Sequence, residues 1–270
     1  MRLTVAQISL GASKKDNLDK MIRLMSENKK TSDMILFPEM CMGRKTDSLS
    51  LADMAEDIDT GEFSVALGRA CAENGVGLCA CLWEKSGADR VYNTAVMYDK
   101  QGRIIARYRK LHLFDALSVK ESDDMLAGDE LPPVFTFEGV KCSLAICYDL
   151  RFPEVFRSAV FRGAELMLIP SAWYDGELKA DHLKSLLKVR ALENTMFTAC
   201  SDLCGGGFAG CSSVYGPYGR CVAETGADEH VFTVVVDVNR VKDVRDKLPN
   251  VANSRHDVYS GIYKRVFRKM

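Results

Sequence analysis

An α/β fold built on mixed sheets is what this sequence predicts, and three observations predict it. Short β-rich runs alternate with helical stretches from the N-terminus onward, the middle of the chain switches to hairpins, and no linker interrupts either pattern. In order, Leu3 to Ile8 reads as a strand, Asp16 to Asn28 as a helix, Met34 to Phe37 as a strand, Phe63 to Glu73 as a helix and Val76 to Trp83 as a strand. The pattern then changes. Tyr92 to Tyr98, the turn Asp99-Lys100-Gln101-Gly102 and Ile104 to Tyr108 form one expected hairpin; Val134 to Phe137, Glu138-Gly139 and Lys141 to Ile146 form another. Alternation returns with a helix from Pro153 to Arg162, a strand from Leu166 to Ile169, a helix from Leu178 to Asn194 and a strand from Met196 to Ser201. A strand pair, Cys211 to Tyr215 with Arg220 to Ala223, leads to Val231 to Val238 and a short helix near Val241 to Lys247. The expectation is one domain over residues 1–270, ending in a polar tail from about 249.

With 270 residues, 47% of them hydrophobic, the chain can bury a large core. Lys and Arg total 36 against 37 Asp and Glu, so no basic excess is available to hold nucleic acid or an anionic membrane. The apolar start, Met1 to Ile8, meets Lys14, Lys15 and Asp16 too soon for a signal sequence or a membrane span, and a cytoplasmic protein is expected. The ten cysteines sit mostly inside apolar runs, which suits reduced thiols better than a disulfide framework. Cys79-x-Cys81 and Cys200-x3-Cys204 lack nearby histidines, so no metal site is expected. Gly205-Gly206-Gly207 has no following lysine or helix signature, which argues against a phosphate loop.

Three ionisable residues each follow an apolar strand directly: Glu39 after Met34 to Pro38, Lys110 after Ile104 to Arg109, and Cys147 after Ser143 to Ile146. Ligands in α/β sheets bind outside the carboxyl ends of strands, so groups placed there converge although distant in sequence. Alone, each suits a structural part: a turn glutamate, a solvated strand-end lysine, a small core thiol. Together they make a working set, in which the carboxylate moves protons, the thiolate attacks a carbonyl or nitrile carbon and the ammonium stabilises an oxyanion. Lys110 nearby favours the thiolate, and a Glu39 enclosed by apolar neighbours holds a proton more readily than in water.

The segments Phe37-Pro38-Glu39, Tyr108-Arg109-Lys110-Leu111-His112-Leu113-Phe114 and Cys147-Tyr148-Asp149-Leu150-Arg151-Phe152-Pro153-Glu154 resemble the signature segments of the nitrilase superfamily of carbon-nitrogen hydrolases. The resemblance continues through Glu121 to Gly128, Val189 to Asn194, Gly216 to Gly219 and Val241 to Arg245, and so spans nearly the whole chain. It implies a four-layer α-β-β-α sandwich, often paired with a second subunit, and hence a homodimer or higher homo-oligomer. It also implies Glu39 as general base, Lys110 as oxyanion-stabilising ammonium, Cys147 as nucleophile, Glu121 as a second carboxylate and the N–H of Tyr148 as a backbone donor to the oxyanion. No metal or organic cofactor is needed for such a reaction, in which the thiol attacks an amide, ammonia leaves and water resolves a thioester. His112 invites a thiol–histidine reading but lacks the accompanying signature, so it is read as structural; Asp149, Arg151 and Glu154 are read as an ion-pair network fixing the turn.

The run Cys147 to Glu154 resembles the branch containing omega-amidases and the amidase that repairs deaminated glutathione, so a small carboxylated amide is favoured over a nitrile. Trp173 and Tyr174, after the strand Leu166 to Pro170, either line a pocket or cap the core. The branch commonly carries His-Trp-Glu at the start of the long helix, where this chain has His182-Leu183-Lys184, and its loop Leu203 to Phe208 is glycine-rich. N-carbamoyl-amine hydrolysis or nitrile hydrolysis within the same superfamily stays open. A catalytically silent assembly subunit is disfavoured because Glu39, Lys110, Cys147 and Glu121 are all intact, and a thiol redox protein because no Cys-x-x-Cys occurs.

Overall fold

The computed structural model describes residues 1–266. In the first sheet, β1 (Arg2–Gln7), β2 (Met34–Leu36) and β3 (Gly77–Lys85) run parallel, and β4 (Val91–Tyr98) and β5 (Ile104–Arg109) add antiparallel as the expected hairpin, with β6 (Met125–Leu126) beside β4. The second sheet takes β7 (Val134–Phe137), β8 (Val140–Leu144), β9 (Leu166–Ser171), β10 (Phe197–Asp202), β11 (Ser213–Tyr215) and β12 (Cys221–Glu224), the middle three of which, β8 to β10, are parallel. The chain then returns through β13 (His230–Val235), which pairs antiparallel with β1. Both sheets are mixed, as the hairpins required.

Side-chain alternation turns these sheets into layers. On β3, Cys79 and Cys81 join Cys142 and Leu144 of the second sheet, whereas Leu78, Ala80 and Leu82 join Met21 and Met25 of α1 (Lys14–Asn28) and Phe63 and Leu67 of α2 (Glu62–Asn74). The second sheet is covered in turn by Phe156 and Ala159 of α3 (Pro153–Phe161) and by Leu183, Leu187 and Ala191 of α4 (Lys179–Asn194). The order is helix, sheet, sheet, helix. Local chemistry sets the helix ends: Ser13 accepts from the Asp16 N–H at 3.3 Å, Pro153 occupies the first turn of α3, and Gly75 closes α2 with φ +65°. The β4–β5 turn leaves no room for a side chain. Gly102, with φ +79°, lies so near Gly68 that a Cβ would sit 2.1 Å from its carbonyl oxygen.

Near the C-terminus two elements differ from the sequence reading. The last strand stops at Val235 because Asp237 caps α5 (Val238–Lys247), its carboxylate accepting the Asn239 N–H at 3.0 Å. The polar segment beyond 249 contains α6 (His256–Val266), in which Val258, Tyr259, Ile262, Tyr263 and Val266 recur at helical spacing within an otherwise polar stretch. This segment docks through Asn250, which donates to the Glu193 carbonyl at 2.9 Å, and through the His256 ring, 4.2 Å from that of Phe161. Among the described residues no helix is long and apolar enough to cross a membrane.

Candidate active site

Glu39, Lys110, Glu121 and Cys147 come together at one rim of the sandwich. Glu39 leaves β2 through Pro38, and its N–H donates to the Ser171 carbonyl at 3.2 Å, tying the first sheet to the second. Three donors meet its buried carboxylate: Lys110 Nζ at 3.0 Å and Asn93 Nδ2 at 2.6 Å on Oε1, and the Ala172 N–H at 3.0 Å on Oε2. The enclosure expected to be apolar is therefore polar where it touches the carboxylate. Lys110 is fully buried, 0% exposed, and its ammonium also lies 2.9 Å from Glu121. Glu121 ends a small hairpin, Asp115–Ala116 against Val119–Lys120, and accepts the Phe114 N–H on Oε2 at 2.7 Å. Burial alone pulls the Lys110 ammonium down, but Glu39 and Glu121 together hold it well above the ordinary lysine range. Glu121 is raised from the usual carboxylate value by burial, which Lys110 only partly offsets.

Cys147 begins a short 3-10 turn, Cys147–Arg151, which Ala145 and Ile146 join to the end of β8. Its φ of +43° lies in the left-handed region that a residue with a Cβ enters at a cost of about 1–2 kcal/mol. Asp149 holds that conformation. Its Oδ2 accepts the Ile146 N–H at 3.0 Å and the Tyr108 hydroxyl at 2.9 Å, and its Oδ1 accepts the His112 N–H at 3.1 Å and meets His112 Nδ1 at 2.7 Å. Arg190 of α4 donates Nε to the Leu150 carbonyl at 3.0 Å, pinning the turn from the other side. Asp149 thus fixes the turn as expected, but through a tyrosine and a histidine, while Arg151 stacks 4.9 Å over the Trp173 ring. His112 is structural, its ring 3.6 Å from that of Phe152.

The Cys147 thiol is not held as a thiolate at rest, against the expectation from Lys110 alone. Burial pushes it well above the ordinary thiol range and Glu39 pushes the same way; Lys110 and the Ala172 N–H pull down without compensating. That same N–H donates to Glu39 Oε2, and Ala172 lines one cavity with Cys147.

A cavity of about 290 Å³ opens onto the sulfur, lined by Cys147, Glu121, Phe114, Tyr148, Ala172, Trp173, Tyr174 and Lys179. Trp173 and Tyr174 both face it. Trp173 is held by its N–H on Asp202 Oδ1 at 2.7 Å and its indole N–H on the Lys179 carbonyl at 2.9 Å; Tyr174 stacks on Phe208 at 5.3 Å. Tyr148 is the second residue of the 3-10 turn, whose first N–H groups have no partner within the turn. A larger cavity of about 940 Å³ adjoins, sharing Glu121 and Tyr174. Among the described residues no group of three or more His, Cys, Asp or Glu is placed to hold a metal ion.

A buried thiol, two carboxylates and an ammonium at the open end of an α-β-β-α sandwich define a class, and the comparisons agree on it. Residues 2–246 match the carbon-nitrogen hydrolase family model, and the chain belongs to that family, within the nitrilase superfamily: it is a hydrolase acting on carbon-nitrogen bonds. Among its relatives, the deaminated glutathione amidase of Escherichia coli O157:H7 is 34% identical over 226 residues, 83% of this chain and 86% of that protein. The 2-oxoglutaramate amidase of Bacillus subtilis (strain 168) is 34% identical over 250 residues, 90% of this chain and 93% of that one. Among solved structures, a mutant of the amidase from Nesterenkonia sp. AN1, with the acetamide moiety of fluoroacetamide added to its active-site cysteine, superposes with a TM-score of 0.82 at 25% identity, covering 97% of this chain and 96% of that one.

Several contributing residues escaped the sequence reading. Asn93 and Ala172 act through contacts that span 54 and 133 positions, and the Ala172 N–H carries no side-chain signal at all. Lys179 opens α4, and nothing in its local sequence sets it apart from the other polar residues of that helix. Tyr108 lay inside a quoted segment, yet its hydroxyl contact with Asp149 has no local signature.

Proposed function

We propose that this protein hydrolyses a small aliphatic amide to its acid and ammonia through a thioester on Cys147. The observation that carries the reading is the buried Glu39 carboxylate, tied to Lys110 and to the N–H of Ala172, which lines the same cavity as Cys147. Each carboxylate oxygen has two acceptor positions. Oε1 is filled by Lys110 and Asn93, and Oε2 has only the Ala172 N–H, so Oε2 carries the travelling proton. Glu39 takes the thiol proton as sulfur bonds to the amide carbon, and Lys110 and the Tyr148 N–H stabilise the oxygen that gains the electron pair. The proton passes to the amide nitrogen, the carbon–nitrogen bond breaks and ammonia leaves. Water, deprotonated by Glu39, then adds to the thioester; the carbon–sulfur bond breaks, and the thiol regains its proton as the acid departs. Glu121 holds Lys110 in line. A thiol that is neutral at rest suits this scheme, because its proton is the one the leaving ammonia requires.

Cys147→Ala is expected to abolish ammonia release from glutaramate with the fold retained, and quenched mass spectrometry of the parent enzyme is expected to find the acyl group on Cys147. Unchanged turnover in the variant, or an acyl group on another cysteine, overturns the assignment. A cytoplasmic setting belongs to this reading, supported by ten unpaired cysteines. So does a homo-oligomer, supported by exposed Val189, Leu192 and Tyr218 on the outer side of the second sheet; a stable monomer at micromolar concentration in sedimentation refutes it.

A further inference from the structure

Asp202 is a buried acid with no cation to answer it. It ends β10 and is 0% exposed, and among the described residues no lysine, arginine or histidine lies within ion-pair distance of its carboxyl. Its Oδ1 accepts the Trp173 N–H at 2.7 Å, whereas its Oδ2 has no hydrogen-bond partner among the described residues. The buried hydroxyl of Ser171, opposite Asp202 in the β9–β10 register, has none either. The titratable groups that face the carboxyl are Glu39 from the first sheet and the thiols of Cys200, Cys204 and Cys211, none of which offers a positive charge. Burial holds the acid well above the ordinary carboxylate range and Glu39 pushes the same way; the neighbouring N–H and hydroxyl groups pull down without compensating.

An ionised Asp202 is a buried charge without a counter-ion, a state that folded proteins avoid by keeping the acid protonated. Protonation does not loosen its hold on Trp173, because the carbonyl oxygen still accepts and the second oxygen gains a proton to donate. The bond it makes is well placed. Ser171, Ala172 and Trp173 follow one another off the end of β9, and each is tied down. The Ser171 carbonyl accepts the Glu39 N–H at 3.2 Å and the Leu203 N–H at 3.0 Å, the Ala172 N–H donates to Glu39 Oε2 at 3.0 Å, and the Trp173 N–H donates to Asp202. Asp202 is itself anchored, its N–H on Ser212 Oγ at 2.8 Å. A slip of Trp173 therefore carries the adjoining Ala172 N–H off the oxygen that moves the proton.

We propose that Asp202 is a positioning residue that works as a neutral acid: it fixes the Trp173 N–H, and with it the Ala172 N–H on Glu39, without bringing another negative charge to the base. This rests on the reading of Glu39 as the base of amide hydrolysis and adds what holds that base in register with the second sheet. Trp173, a wall of the cavity beside Cys147, is set by the same bond.

Two substitutions separate the possibilities. Asp202→Asn keeps an acceptor for Trp173 and carries no charge at any pH, so kcat/KM for glutaramate should stay within about 3-fold of wild type. Asp202→Ala leaves the Trp173 N–H unpaired and should lower kcat about 10- to 100-fold, with a smaller change in KM. A loss above about 10-fold in Asp202→Asn, or an Asp202→Ala kcat within about 3-fold of wild type, overturns the positioning role. The neutral state is read without turnover. A carboxyl protonated in the fold, with an unfolded pKa of about 3.9, supports folding fully below that value and loses that support as pH rises toward the folded one. Between pH 5 and pH 8 the Tm of wild type should therefore fall relative to that of Asp202→Asn by about 5–10 °C. Difference infrared spectra of the two proteins at pH 7 should show the carbonyl stretch of a protonated carboxyl in the wild type. A Tm gap that does not change with pH, or a carboxylate band in place of the protonated one, overturns the neutral acid. Absence of ammonia with wild-type protein defeats the amidase reading alone, because the Tm and infrared measurements still test Asp202.

Discussion

Replacing Lys110 by methionine tests whether the buried charges hold one another. Lys110 and Glu39 are 0% and 1% exposed, and the ammonium lies 3.0 Å from Glu39 and 2.9 Å from Glu121. Each contact contributes roughly 5–6 kcal/mol at an effective dielectric of about 20, most of it offset by desolvation of the three ions. Removing the ammonium leaves two carboxylates facing each other unpaired, and breaking such a buried set costs about 3–5 kcal/mol. For a chain of this size that lowers Tm by about 10 °C. The loss should depend on pH. One of the freed carboxylates takes up a proton, its folded-state pKa rising above the unfolded value of about 4.3. A group shifted that way supports folding fully below its unfolded pKa and loses that support as pH rises through the folded value. Thermal unfolding by circular dichroism should therefore show the variant nearest the wild type at pH 5 and furthest from it at pH 8, with Glu121→Gln added to Lys110→Met recovering part of the deficit. A gap below about 1 kcal/mol at pH 8, or one that does not narrow at pH 5, refutes the reasoning.

Three further outcomes follow from the same geometry. Glu39→Gln should abolish ammonia release yet speed alkylation of Cys147 by iodoacetamide at pH 7, because the negative charge that raises the thiol is gone while Lys110 remains; slower alkylation contradicts this. Asp149→Ala removes the acceptor of the Ile146 N–H, the Tyr108 hydroxyl and His112, and should cost about 2–4 kcal/mol in urea unfolding with a loss of turnover; a midpoint near the wild type refutes it. Gly102→Ala must displace the Gly68 carbonyl and adopt φ +79°, so Tm should fall by several degrees with kcat/KM unchanged, and an unaltered Tm contradicts the close approach.

Glu39, Lys110 and Cys147 were legible because each ends a strand, and a strand end announces itself within a few residues. Their ionisation was not legible. Lys110 beside Cys147 suggested a thiolate, but the balance depends on how completely the sulfur is buried and on how Glu39 opposes the lysine, both set by chain segments far apart. The same distance hid Asn93, Ala172 and Lys179. The hairpins and the alternation of β3 were readable from period and turn residues, whereas the apolar spacing of α6 was hidden by the polar residues around it.

The groups at the rim belong to different sheets: Glu39 and Lys110 hang from the first, Cys147 and Ala172 from the second. Between the sheets lie small side chains, Cys79, Cys81, Ala95 and Ala199 among them. This interlayer works as a shim that sets how far base and nucleophile stand apart. A single added methylene there could be absorbed by a slight parting of the sheets, leaving a well-folded protein whose two halves of chemistry no longer meet. Thickness in that layer, rather than the reactive groups themselves, is then what drift or hydrostatic compression would act upon.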